Sequence, residues 1–291
     1  MGESVARSQS AKPSRRLGIL IDSFKLSTWI CVSIVGYSAI SWLLPRLQSI
    51  LLWVPTILLA WASLDALLMH AGLRRNIWME GVQKGVTNAV SGGKIVSASG
   101  PDGQIVVFLV GAQVNHALGI FSPGVARFVA YFDDIASNLE QRREEFGMLG
   151  ASSWIADKER SASNDMLYIY YFRTIKGVNK FAQDASHANG WNWYNKFSKQ
   201  HKHIALRHEL YHVPAGHWSN VFLNSHRTLI GATTYKDESL GEWTTMLRSA
   251  NTKRLRTLWG RMGEGSESLR SGGLSHCVRR ACLRPRPKKR V

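Results

Sequence analysis

An α+β domain carried behind a pair of apolar helices is the architecture this sequence predicts. Three observations predict it: two apolar, charge-poor runs between residues 26 and 69, a Val/Ile-rich run at 103–115, and alternating helix-like and strand-like segments from there to residue 213. At 291 residues and 45% apolar composition the chain can bury one substantial core.

The first apolar run, Leu26 to Leu44 (LSTWICVSIVGYSAISWLL), is uncharged and has nearly the ~20 residues that cross a bilayer as helix. After PRLQS comes a second run, Ile50 to Met69, interrupted by Pro55 and by Asp65 near its end. A proline is tolerated in a membrane helix, and Trp29, Trp42, Trp53 and Trp61 suit interfacial anchoring. A cleaved signal peptide is shorter and is not followed by such a second run. Arg7, Lys12, Arg15, Arg16 and Lys25 precede the pair, Arg74 and Arg75 follow it, and the connecting loop holds only Arg46. The positive-inside rule therefore puts both ends in the cytosol. The expectation is a two-helix, multi-pass anchor at the endoplasmic reticulum membrane; a helical pair lying in the interface is the competing reading.

The formal net charge of +17 is concentrated at the ends of the chain. Residues 1–25 carry five Lys/Arg against two Asp/Glu, and 248–291 carry thirteen against two. Basic ends beside apolar runs point to anionic lipid, and no nucleic-acid-binding signature accompanies them, so nucleic acid is not an expected partner. The three cysteines, Cys31, Cys277 and Cys282, form no disulfide framework, which fits a reducing compartment.

Within the domain, GQIVVFLVGAQVN (103–115) reads as a covered central strand. Ser122-Pro123 then opens a long amphipathic helix, with Ser122 as N-cap and Val125, Phe128, Val129, Phe132, Ile135 and Leu139 at helical spacing. Residues 148–157 and 165–173 read as two strands around a polar turn. Residues 174–184 begin a second helical region, which continues through NGWNWYNKFSKQ, and 203–213 form a fourth strand. The resulting order, strand, helix, strand, strand, helix, strand, is ferredoxin-like, with helices on one face of an antiparallel sheet. The other face would be left bare, and two subunits packing those faces together would make a homodimer.

Three stretches, VVFLVGAQVNHALG (106–119), YYFRTIKGVNKFAQDASHANGW (170–191) and RHELYHVPAGHWSNVFLN (207–224), resemble a monooxygenase-like family of fungi and bacteria with a dimeric α+β-barrel fold. That family is similar in fold to the antibiotic-biosynthesis monooxygenases. The resemblance covers roughly 103–240 and extends to membrane-anchored fungal secondary-metabolite oxygenases of the fumagillin-pathway type. It implies oxidation of a hydrophobic polyketide or terpenoid intermediate by molecular oxygen with neither metal nor flavin. The fold also hosts other chemistries, so the chemistry has to be argued from the site.

Cofactor-free oxygenation needs a base, hydrogen-bond donors and a dry pocket. On the fourth strand His208 shares parity with Ile204, Leu206, Leu210 and His212, so it is expected to face an apolar chamber, where an imidazole can accept a proton at cytosolic pH. Asn115, which with His116 ends the first strand, is the second choice, as a donor; the family resemblance places such an Asn near the reactive oxygen. In HANGWNWYNK (187–196), Trp191, Tyr194 and Asn195 share a helical face and Trp193 lies off it. Trp191 is then a chamber wall, Asn195 a substrate contact, and His187 a second acid or base. Tyr170 and Phe172 would complete the wall, and Arg173 would bind a substrate carboxylate. For each of these residues core packing, capping or a solvated ion pair with Glu209 or Asp184 is the competing reading.

No Gly-rich dinucleotide fingerprint follows a strand, and the closely spaced His201, His203, His208 and His212 lack metal-ligand spacing. The expectation is no cofactor, with haem on a single axial His as the main alternative. Two other functions stay open: an isomerase, cyclase or dehydratase using the same base without oxygen, and a non-catalytic lipid-binding scaffold. The expected domain plan is a basic tail at 1–25, two transmembrane helices at 26–70, a linker at 71–102, the barrel domain at 103–240, a basic amphipathic extension at 241–264 and a disordered basic tail at 265–291.

Overall fold

The computed structural model describes residues 20–89, 103–156, 165–214, 217–236 and 242–249. The expected tail at 265–291, most of the extension at 241–264 and most of the tail at 1–25 lie outside them.

Two long helices come first, α1 (Leu26–Leu43) and α2 (Gln48–His70), joined by a single 3-10 turn at Pro45–Leu47. Neither buries any residue, and both are long and apolar enough to cross a membrane by length and composition. Asp65, the one acid in α2, is ion-paired with Arg74 beyond the helix end, so its charge is compensated within the chain.

The domain that follows has the expected order: β2 (Ile105–Val114), α3 (Val125–Gln141), a short α4 (Arg143–Phe146), β3 (Met148–Ile155), β4 (Asp165–Phe172), α5 (Ile175–Ala182), α6 (Ala185–Phe197) and β5 (Ile204–Val213). The four strands form one sheet in the order β3-β4-β2-β5, with every pairing antiparallel. This is the ferredoxin-like arrangement, in which the first and third strands of the unit are central. Register fixes the faces. Val106, Phe108, Val110 and Ala112 pair with Phe172, Tyr170, Tyr168 and Met166 on one side and with His212, Leu210, His208 and Leu206 on the other. All of these point toward the helices, because alternate residues of a strand share a face.

One core lies under α3, α4 and α5, where Val106, Phe172, Phe146, Leu139 and Phe181 pack together. A second joins Val125, Phe128 and Trp193 to Ala112 and Ile204. α3 begins at Val125, three residues after the expected cap. Gly124 takes the capping position with φ +82°, and the Ser122 hydroxyl donates to Gly119 O at 2.7 Å instead. A Cβ on Gly124 would lie 2.7 Å from the His201 ring, so the glycine also admits that imidazole.

The opposite sheet face is not bare. β1 (Gln83–Ala89), inside the stretch read as linker, pairs with β6 (Phe222–Ser225) and with β9 (Leu247–Ser249). β7 (Thr234–Lys236) pairs with β8 (Trp243–Thr245). The strands at 243–249 fall within the stretch read as an amphipathic extension. These segments bring Ala89, Ile230, Tyr235 and Met246 onto Ile105, Leu149 and Tyr171, covering one half of that face. Their strands are only three to seven residues long, too short for alternation to identify them in the sequence. Arg143 fastens the cover. Its buried guanidinium donates to Leu149 O and to Thr234 O and Oγ1, and it lies 4.3 Å from the Trp243 ring.

Candidate active site

The helix layer leaves one part of the sheet open. α3 sits over β4, where Phe132 meets Tyr168 at 4.7 Å between ring centroids. The C-terminal half of α6 sits over the start of β5, where Tyr194 Oη donates to Ile204 O at 3.2 Å. Between and beyond these contacts, Phe108 and Val110 are only partly buried, and His208, Leu210 and His212 are exposed. The result is a trough with Phe108 and Val110 as its floor and β5 as its rim.

His208 stands in this trough. It pairs across β5 with Val110, and its ring lies 5.8 Å from that of Phe108, its one contact of note among the described residues. Tyr170 is in the same cross-strand row as Phe108, with ring centroids 6.3 Å apart, and stacks along β4 on Tyr168 at 6.4 Å. Trp191 is 45% exposed and stacks on Tyr194 at 6.2 Å. Trp191 lies one turn before Tyr194 on the same face of α6, which reaches the start of β5 through the Tyr194 hydroxyl. Asn195 is exposed beside Tyr194. The indole of this stretch that enters the core is Trp193, against Tyr131, Phe197 and His201.

Other residues singled out in the sequence are held elsewhere. Phe172 is fully buried among Phe146 and Phe181. His187 sits in the first turn of α6 with Nδ1 at 3.0 Å from Ala182 O and its ring against Phe181, so it ties α5 to α6. Arg173 lies at the far end of β4 against Gly147 and pairs with neither Glu209 nor Asp184. Glu209 accepts the Tyr211 hydroxyl, and Asp184 is taken by Arg142 and Ser186. Asn115 is five residues along β2 from the Val110 level, about 17 Å from His208 at strand spacing. Its backbone N–H donates to His203 O at 2.7 Å.

Around Asn115 the structure gathers His116 with His201 and His203, two of the histidines that sequence spacing had set aside. His116 and His203 have ring centroids 5.0 Å apart, and His203 and His201 are 5.7 Å apart. His203 Nε2 is 2.9 Å from Pro123 O, His116 Nδ1 accepts from Leu118 N at 3.1 Å, and His201 Nδ1 is buried without a partner. No group of three metal-ligating side chains in holding geometry occurs among the described residues.

Charge on β5 is segregated to the other face. Arg207 crosses β2 to reach Asp165, which is 2% exposed; a Cβ on Gly111 would lie 2.6 Å from Arg207 Nε, so only glycine lets the side chain pass. Beside it, the hydrogen bond to Glu209 raises the Tyr211 phenol above its ordinary range. The His208 face therefore carries an imidazole among apolar and aromatic groups, while the Arg207–Asp165 ion pair and the Tyr211–Glu209 hydrogen bond occupy its back.

The family described as Monooxygenase af470-like matches residues 105–230. Monooxygenase af470 of Aspergillus fumigatus is 27% identical over 250 residues, covering 84% of this chain and 89% of that protein. Solved structures with partial likeness include SnoaB, a cofactor-independent oxygenase from Streptomyces nogalater (TM-score 0.26, 11% identity, 37% of this chain and 91% of that chain). Another is a putative antibiotic biosynthesis monooxygenase from Nitrosomonas europaea (TM-score 0.24, 14% identity, 38% and 88%). The chain is thus similar to monooxygenase af470, and its residues 105–230 match the Monooxygenase af470-like family, which bears out the resemblance carried by its motifs and supports a monooxygenase-type activity.

Proposed function

We propose that the protein is a membrane-anchored monooxygenase that oxidises a hydrophobic polyketide or terpenoid intermediate with molecular oxygen and no metal, flavin or haem, in a secondary-metabolite pathway. The observation that carries the reading is His208, an imidazole held over Phe108 and Val110 in an open apolar trough, on the face opposite the Arg207–Asp165 ion pair. An apolar, conjugated substrate lying on Phe108 and Tyr170, with Trp191 as its outer wall, would present an activated C–H to His208. The imidazole takes that proton, and the carbanion is the electron source. Transfer of an electron to oxygen and recombination of the radical pair form a C–O bond. Protonation gives a hydroperoxide, and its loss of water converts the original CH2 to a carbonyl. One oxygen atom ends in product and the other in water, so no external reductant is required.

The trough is open in a single chain, and desolvation strengthens such chemistry. A homodimer would close it. The exposed edge of β5, where Leu210 and Tyr211 are open, offers the surface. The basic segment before α1 and the two apolar helices support anchoring with the domain in the cytosol, at the endoplasmic reticulum.

The test is oxygen uptake by the purified full chain, in detergent, with candidate polyenes and terpenoids bearing an acidic methylene. Stoichiometric uptake without added metal or flavin, abolished by His208→Ala, is the expected result. Turnover without oxygen consumption would move the same base to isomerisation or dehydration, and a Soret band in the purified protein would replace the mechanism with haem chemistry.

A further inference from the structure

The end of the domain that carries Asn115 is built against the first apolar helix. Ser23 is 4% exposed, and its hydroxyl accepts from Ile120 N at 3.4 Å. Phe24 stacks on Phe121 at 6.1 Å between centroids and meets Trp29 edge-on at 5.8 Å, while Trp29 Nε1 donates to Ile21 O. The loop from Asn115 to Pro123 is therefore fixed to the chain two residues before Leu26, where α1 starts. Two residues span at most about 7 Å, and the polar layer of one leaflet is about 5–7 Å deep. If α1 crosses the bilayer, this loop cannot stand clear of the headgroups.

Its composition fits that position. Leu118 and Phe121, two large apolar side chains on one short loop, are 53% and 66% exposed. Next to them, the turn from α6 into β5 carries Lys199 and Lys202, both exposed, and is bound to the loop through His203 and Asn115. Lys25 and Arg127 are exposed on the two segments that flank the same loop. Apolar tips among lysines match the pattern of a surface that inserts shallowly while its cations meet lipid phosphate.

We infer that Leu118 and Phe121, with Lys199 and Lys202 beside them, form a docking edge that seats this end of the domain in the headgroup layer of an anionic phospholipid bilayer. The inference rests on the proposed anchor and adds to it a fixed orientation of the domain.

The experiment uses the full chain with Cys277→Ser and Cys282→Ser, reconstituted in phosphatidylcholine–phosphatidylserine vesicles and labelled with an environment-sensitive fluorophore at one site at a time. The sites are native Cys31 in α1, and Leu118→Cys or Lys176→Cys in a Cys31→Ser background. Lys176 is exposed at the opposite end of the domain. Nitroxide lipids with the quencher at the headgroup or deep in the acyl chain read depth. Deep quenching at Cys31, with headgroup quenching at Leu118 several-fold above that at Lys176, is the expected result. Lys199→Glu with Lys202→Glu should cut the Leu118 signal several-fold and leave Cys31 unchanged. Quenching at Leu118 no greater than at Lys176, with Cys31 still deep, overturns the docking edge and leaves the anchor standing. Loss of quenching at Cys31 overturns the anchor and the edge together.

Discussion

The two halves of the four-stranded sheet do different work with the same alternation of side chains. On the β4 side, Val106 and Phe172 disappear beneath Leu139, Phe146 and Phe181. On the β5 side, helix-facing residues further along the strands, Phe108, Val110, Leu210 and His208, stay partly or wholly open. A strand buried on both faces is a structural element. One whose helix-facing residues are left uncovered has surface to offer a ligand, and here that surface carries the imidazole.

The contrast predicts that stability and activity separate across β2. Phe172→Ala should cost about 3–5 kcal/mol, since a fully buried ring leaves a cavity that its packed neighbours cannot fill; chemical denaturation measures it. His208→Ala should change stability by less than about 0.5 kcal/mol and reduce turnover by roughly 10²–10⁴-fold. If His208→Ala instead unfolds the domain or leaves turnover intact, the open half is not where the chemistry lies.

Smaller effects sharpen the picture of the closed half. Arg143→Met should destabilise by about 1–3 kcal/mol, because Leu149 O and Thr234 O lose their donor in a buried position. Its signature is selective exposure of β7 and β8 to proteolysis. The smallest change expected is at Asp184, the cap of α6. Burial by itself would raise its carboxyl, but hydrogen bonds from the Ser186 hydroxyl and backbone N–H and from Arg142 outweigh this and hold it at about 2. A depressed carboxylate stabilises the fold above its ordinary value near 3.8, and that contribution is lost as pH falls through about 2. Asp184→Asn keeps a capping oxygen and should cost less than about 1 kcal/mol at neutral pH. Its stability should converge on that of the parent between about pH 4 and 2, as followed by pH-dependent denaturation.

Much of the domain could be read in advance because its signals are local. The Val/Ile run of β2, the helical spacing through α3 and the parity of β5 each reside in one continuous segment, and the placement of His208 on the apolar face followed from parity alone. The face of α6 did not follow in the same way. Trp191, Trp193, Tyr194 and Phe197 are all aromatic, so spacing could not say which indole is core, and tertiary contact with Tyr131 and Ile204 chose Trp193. In the sequence His208 was read as the base, Asn115 as a donor, His187 as a second acid or base and Arg173 as a carboxylate binder, all around one chamber. Helix connection, strand end and sheet edge separated them in space.

By itself, then, the sequence determined the apolar pair of helices, the order of the ferredoxin-like unit and the side of β5 on which His208 stands, because helix and strand periodicities are set by the backbone within a few residues. Tertiary structure alone decided that β1 and the segments after β5 cover half of the opposite face, that α3 and α6 stop short of the β5 rim, and that the Asn115 loop is fixed beside α1. Each of these depends on contacts between residues distant in the chain, such as Ser23 with Ile120 and Arg143 with Thr234. Whether such segments meet is settled by which buried surfaces fit and which buried polar groups find partners, and no single stretch of sequence contains that information.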